Sequence, residues 1–238
     1  MNLLKIFGIV LVSLLSLVSI AYAVPTGPSN INVISSSRYP VSSASNLSAI
    51  AGNVTEVNFI SNAVTQTWQG YFGNASGTVL LGNSNNQTLY DWSQASPSGE
   101  IYATRSVSTP TWANIRCANV TNIDDEDTAL GVNQSTDQDS VNKTFLNTTT
   151  FPQFYVGSIN INTTQSCYAT ALRNTTGISQ SFKEVLLHDN AMMIYTALLT
   201  QDSLGFDGST HDFEMLVGEN GHLGDTSPTP YYFYLELQ

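Results

Sequence analysis

The chain has 238 residues and carries 18 Asp and Glu against 7 Lys and Arg, a formal charge of −11. Only 11% of its residues are charged while 42% are hydrophobic, which excludes a highly charged disordered chain with too little apolar surface to bury. Lysine occurs only at Lys5, Lys143 and Lys183, so the clustered cations that neutralise a phosphate backbone are missing and nucleic acid is excluded as a partner.

The first element in chain order is a leader. Lys5 gives a positive start, and residues 6–20 form an apolar run broken only by Gly8, Ser13, Ser16 and Ser19. Ala21-Tyr22-Ala23 then places small residues at the two positions a signal peptidase reads. Residues 1–23 are expected to be a signal peptide cleaved after Ala23. Left uncleaved, a run of this length would act as a membrane anchor. Without the leader the chain has six basic and 18 acidic residues, a net of −12, which favours solubility and repels anionic surfaces. The expected location is extracellular or at the cell surface.

Residues 24–50 are rich in Ser, Pro and Asn and read as an exposed segment with one short strand at 31–34. From Val54 strands alternate with turn signals every eight to twelve residues. They are expected at 57–60, 64–72, 78–81, 88–92, 100–105 and 112–117. Gly73-Asn74, residues 82–86 and Ser96-Pro97-Ser98-Gly99 mark turns between them. Residues 119–142 are polar and hold 6 of the 18 acidic residues; this is a loop and short-helix insert, capped by Asn122 or Asp124 and ended by Gly131. Strands resume at 154–161, 166–172, 182–187, 192–200, 212–217 and 231–237, with His188-Asp189-Asn190 as a turn. The segment 192–199 has helical propensity, but its brevity and flanking turns favour a strand.

This pattern predicts an all-β protein, an antiparallel β-sandwich with the insert capping one end. Residues 51–238 are expected to form a single extended domain; a two-domain version would break near 120–145. Cys117 and Cys167 are the only cysteines. In an exported chain an even pair implies one disulfide. Closing a loop of about 50 residues stabilises by roughly 4 kcal/mol. Two buried free thiols are the alternative. Asn-x-Ser/Thr occurs ten times, at Asn46, Asn53, Asn74, Asn86, Asn119, Asn133, Asn142, Asn147, Asn162 and Asn174, about twice the chance frequency. A glycan needs exposed backbone, so these positions are expected in loops or on outward strand faces.

Several strings together carry a resemblance: Thr67-Trp68-Gln69-Gly70-Tyr71-Phe72-Gly73-Asn74, Leu89-Tyr90-Asp91-Trp92, Phe154-Tyr155-Val156-Gly157-Ser158, residues 182–189, Gly205-Phe206-Asp207-Gly208 and Tyr231-Tyr232-Phe233-Tyr234-Leu235-Glu236-Leu237. From about Ala51 to its end the chain resembles a group of secreted archaeal surface proteins found in small-celled, often symbiotic archaea. The resemblance implies an exported envelope protein and supplies no catalytic residue. It also makes use of the sequons more credible, since archaeal exteriors carry Asn-linked sugar.

Chemistry-bearing residues are sparse in pattern. Asp124-Asp125-Glu126-Asp127 is the densest carboxylate run, but it lacks the Gly and the late Glu of a calcium loop; a helix start explains it through the helix dipole. Asp202, Asp207 and Asp212, with Gly205 and Gly208, form a second calcium candidate that strand-connecting turns explain as well. No metal or other cofactor is expected beyond these two calcium candidates. His188, His211 and His222 lack paired zinc-ligand spacing, and no nucleophile elbow or phosphate loop occurs. Trp68, Tyr71, Trp92 and Trp112, with Tyr90 and Tyr102, fall in adjacent expected strands. Trp68 and Trp92 are expected in the core; three aromatics on one face would instead stack on sugar rings. The expected role is structural or interactive rather than catalytic: binding to other surface proteins or glycans, with self-assembly through the C-terminal strand. A carbohydrate-binding module is the alternative.

Overall fold

Strands form where alternating apolar residues find a neighbour to take their backbone hydrogen bonds, and fail to form where none is offered. In the computed structural model, which describes residues 24–93, 98–221 and 228–237, this distinction separates a packed body from an exposed N-terminal arm. The leader with its Ala23 cleavage position, His222 and part of the turn at 96–99 lie outside the described residues. The elements are β1 (Trp68–Gly73), β2 (Thr78–Gly82), β3 (Thr88–Ser93), β4 (Gly99–Thr104), β5 (Arg116–Cys117), helix α1 (Val120–Ala129), the one-turn helix α2 (Val141–Thr144), β6 (Phe154–Val156), β7 (Ile159–Ile161), β8 (Ala169–Asn174), β9 (Gly177–His188), β10 (Met193–Leu198), β11 (Ser203–Leu204), β12 (Thr210–His211), β13 (Phe213–Gly218) and β14 (Tyr232–Leu237). The protein is all-β, and its strand pairs are antiparallel.

Six strands form the central sheet in the order β14-β4-β10-β9-β5, with β8 also paired to β9. All six residues of β10, Met193 to Leu198, are buried. A strand buried on both faces reads as a continuous apolar run rather than an alternation. On one face Ile101, Ala103, Leu186, Tyr195 and Ala197 pack against Met215 and Val217 of β13 and against Ile123, Leu130 and Phe145 of the insert. On the other, Tyr102, Val185, Leu187 and Ile194 pack against Phe154, Val156 and Ile161 of the β6–β7 hairpin. The covers are therefore two-stranded ribbons, β1–β13 and β6–β7, where the sequence reading expected a second full sheet. Each fully buried Leu or Ile contributes roughly 1.5–3 kcal/mol.

Several expectations need correction. The strands expected at 31–34 and 57–60 are absent: between Gly27 and Gln66 no residue is in a strand, and every residue from 29 to 63 is exposed. The packed body therefore begins near Thr67 rather than at residue 51. Within residues 112–117 only Arg116–Cys117 is a strand; Trp112–Asn114 is a 3-10 turn following Pro110. Residues 154–161 are a hairpin turned at Gly157, whose φ of 55 suits glycine. Helix α1 is capped neither by Asn122 nor by Asp124. Asn119 caps it, accepting from the Asn122 N–H while Asn122 Oδ1 accepts from the Asn119 N–H, both at 3.0 Å. The run Asp124–Asp127 thus sits within the helix, and Gly131 follows it at φ 70.

Cys117 and Cys167 form the disulfide, with Cα atoms 4.8 Å apart. The outer edge of β9 is shared end to end by β5, which pairs Cys117 with Leu187, and β8, which pairs Ala169 with Val185. At the handover Leu186 accepts from the Ala118 N–H and donates to the Tyr168 carbonyl, both at 2.9 Å. The disulfide clamps that junction. Replacing both cysteines by Ser should lower the unfolding free energy by roughly 4 kcal/mol and speed hydrogen exchange at the Leu186 and Ala118 amides before the rest of β9. Equal stability and equal exchange in the double variant would remove the bridge from what holds β5 to β8.

Candidate functional site

The carboxylates of this acidic chain are largely taken up by fastening its own backbone. Asp189 accepts from the Thr111, Ala191 and Met192 N–H groups, at 2.8, 2.9 and 2.9 Å. Those three bonds outweigh its burial and hold its pKa below the usual carboxylate value. Asp212 accepts from Ala75 and Asp202 N–H groups. Asp207 accepts from Ser209 N–H, and its Oδ1 lies 3.0 Å from His211 Nε2. The carboxylates of Asp207 and Asp212 in the second calcium candidate thus have separate partners, and Asp202 meets Asp212 through its backbone N–H. The first candidate also splits. Asp127 turns inward to accept the Val141 N–H at 2.7 Å, Asp124 accepts from Gln134, and Glu126 faces the sheet. No group of three or more metal-ligating side chains gathers among the described residues.

Glu126 marks one polar groove of about 420 Å³, lined by Arg105, Asn122, Asp125, Glu126, His188 and Met192 among others. Arg105 and Glu126 pair at 2.6 Å, and the second oxygen of Glu126 accepts the Tyr195 hydroxyl at 2.6 Å. Burial pushes the Glu126 pKa up, and Arg105 and Tyr195 oppose it. His188 uses Nδ1 to accept the Asn190 N–H; burial and nearby Arg116 push its pKa down, against Asp189 and Asp125. The groove holds an ion pair and an imidazole already tied to a turn. These contacts fasten α1 over the β4 end and the β9–β10 turn of the central sheet.

The aromatics separate into three places. Trp68 is half-buried on the β1–β13 ribbon, stacks near Phe145 and Tyr195, and donates to the Asp139 carbonyl at 2.6 Å. Trp112 packs between Tyr102 and Tyr234 on the opposite face of the central sheet. Tyr71 lies edge-on to Phe233. Trp92 is not in the core: it is 53% exposed on the β2–β3 hairpin, its ring 4.8 Å from that of Tyr90. No shared platform of three rings results, because successive strands here lie in different layers.

Sequence reasoning missed an exposed apolar surface on the hairpin. The β2–β3 hairpin is a separate two-stranded sheet. Val79, Leu81, Tyr90 and Trp92 pair across one face, and Leu80 and Leu89 are exposed as well. Apolar residues on both faces of an exposed ribbon mark an interaction surface, and a two-stranded ribbon alone is marginally stable. The signal was present in Val79-Leu80-Leu81 and Leu89-Tyr90, which are apolar at consecutive positions instead of alternating. The arm repeats the theme: Ile31, Val33, Ile34, Val57, Phe59 and Ile60 are exposed. At the other sheet edge β14 carries one further backbone pairing, with Thr26 and Leu235 exchanging bonds at 3.1 and 2.8 Å.

Of the sequons, Asn46, Asn53, Asn74, Asn86, Asn119, Asn133 and Asn147 are exposed, while Asn142, Asn162 and Asn174 are half-buried. The amide nitrogens of Asn142 and Asn162 already donate to Gln134 and Asn160.

Glu184 supplies a test of the buried acids. It lies beneath β13, fully buried, with Oε2 accepting the Leu216 N–H at 2.8 Å. Burial holds its pKa well above the ordinary glutamate value. Its raised pKa stabilises the fold at low pH, and that contribution is lost as pH rises from the ordinary glutamate range through the folded-state pKa. Natural protein and the Glu184→Gln variant should therefore match in urea unfolding at acid pH, then diverge with rising pH, the variant being the more stable. Parallel pH profiles would show that Glu184 does not titrate with folding. Comparison with protein-family models, with curated proteins and with solved structures finds no match.

Proposed function

We propose that this chain is an exported cell-surface protein of structural, non-catalytic role, which associates with other surface proteins through exposed strands. One observation carries the reading: two apolar, charge-poor surfaces, the arm of residues 27–66 and the β2–β3 hairpin, stand outside the packed body. Of those residues only Arg38, Glu56 and Asp91 are charged, whereas the remaining mature chain is strongly acidic. Among the described residues Asp127, Asp189, Asp212, Glu184 and His188 are engaged as brackets within the fold. The disulfide fits an oxidising exterior. No described helix is long and apolar enough to cross a membrane.

The exposed sequons fit display in a compartment where Asn-linked sugar is attached. Sugar on the acidic body would limit contact there and leave the strand surfaces as the sticky part. The resemblance to archaeal surface proteins points the same way.

Intact-mass and peptide analysis of native protein tests this reading. The expected product starts at Val24, has oxidised cysteines, and carries sugar on members of the exposed set but not on Asn142 or Asn162, whose amide nitrogens are engaged. Native protein found inside the cell with leader attached, thiols reduced and no sugar would refute it.

A further inference from the structure

Two features of this chain are left incomplete by its own fold. The β2–β3 hairpin is a sheet without a core, and among the described residues neither of its outer edges pairs with another strand. The arm, residues 27–66, holds strand-forming apolar runs without a sheet. An exposed strand edge recruits an added strand unless charge, proline or a bulge protects it. The hairpin's one bulge is at its turn, between Leu81 and Gly82; its strands contain no proline, and Asp91 is their sole charge.

Resting on the surface-assembly reading, we propose that residues 54–60 in the arm of one copy add as a third strand to the β2–β3 hairpin of a second copy. Val57 and Phe59 would lie on the Val79, Leu81, Tyr90 and Trp92 face, with backbone bonds to the open edge. Three arguments single out a second copy as the occupant.

The first is charge. A chain of net −12 repels itself, so two copies meet at least cost where charge is lowest. Residues 24–93 carry one Arg, one Asp and one Glu, while the other 16 acidic residues lie beyond them. The second is placement. Thr26 pairs with Leu235, and Gly77 packs against Leu237, so arm and hairpin both leave the body at the β14 edge. The third is composition: the arm offers what the hairpin needs, and each chain exposes both. Donor and acceptor are different surfaces, so the contact is heterologous, and repetition gives open chains of copies rather than closed dimers.

The test uses mature full-length protein in sedimentation analysis over a concentration series. Leu89→Lys with Trp92→Lys blocks the hairpin, and Val57→Asp with Phe59→Asp blocks the arm. None of the four residues is in the core, so melting temperatures should match the natural protein. The natural chain should form a concentration-dependent ladder, each variant alone should be monomeric, and a mixture of the two should stop at dimer. A synthetic peptide of residues 54–60 should shift the natural ladder to monomer, and the Asp-substituted peptide should not. The peptide arm does not depend on either variant folding.

Retained ladders in both variants with no peptide effect would overturn the pairing yet leave assembly through another edge. Assembly lost only in the hairpin variant would mean hairpin-to-hairpin contact and would also overturn it. A natural chain that is monomeric throughout would overturn both this pairing and self-assembly, and retention of that monomer on glycans would reassign Tyr90 and Trp92 to sugar.

Discussion

An extended backbone presents N–H and C=O groups along both of its edges, and they must find partners. β9 shows what satisfying that requirement takes. Residues Glu184 to His188 of this twelve-residue strand meet β10 along one edge, and the strand needs two successive partners, β5 and β8, along the other. The disulfide sits where one partner replaces the other. Once β9 and β10 are paired on both edges, their side chains on both faces can be buried, and the ribbons and insert close over them. The arm and the hairpin are the places where the same requirement is not met within the chain.

Buried polar groups follow from this layered arrangement. A central sheet covered on both sides by short pieces has many loops arriving at its faces, each with backbone N–H groups to satisfy. Buried carboxylates do that work: Asp189 for the 108–115 segment and the β9–β10 turn, Asp127 for α2, Glu184 for β13. Glu236 does the same on the second face, accepting from the Tyr102 hydroxyl and the Gly157 N–H, both at 2.9 Å. Burial raises the pKa of Glu236, Glu184 and Asp127, yet a hydrogen bond to an acid costs less than an orphaned amide. An acidic composition here is therefore partly a structural inventory, and it leaves few carboxylates gathered for chemistry.

The central strands were legible because their signals are local. Val185 to Leu187 and Met192 to Leu199 are largely apolar stretches on either side of His188-Asp189-Asn190, and the structure pairs them across that turn. The disulfide was legible from two cysteines in a chain whose first residues read as a secretory signal. The layers were not, since an apolar run does not say what covers it. Trp92 illustrates the gap: its strand has the composition of a core strand, and only tertiary placement shows that nothing packs on it. Residues 31–34 and 57–60 failed for the opposite reason, because strand propensity describes a fit to a sheet rather than an intrinsic backbone preference. Asn119 was not legible as the cap because the acidic run from Asp124, inside the helix, is the stronger local signal of a helix start.

Charge and sugar positions divide the molecule along the same line. The sequons near the hairpin are Asn74 in the β1–β2 connection and Asn86 in the hairpin turn, where φ is 60. Neither lies within β2 or β3. Asn46 and Asn53 precede the 54–60 run in the arm. Sugar at these four positions would flank the apolar strands without covering their edges. On the body, Asn119, Asn133 and Asn147 are exposed around the acidic insert, so charge and sugar would coincide there. On the proposed surface-assembly reading, charge and sugar would disfavour contact over the packed part and leave it to the exposed strands, and the direction of contact would follow from where backbone groups remain unpaired.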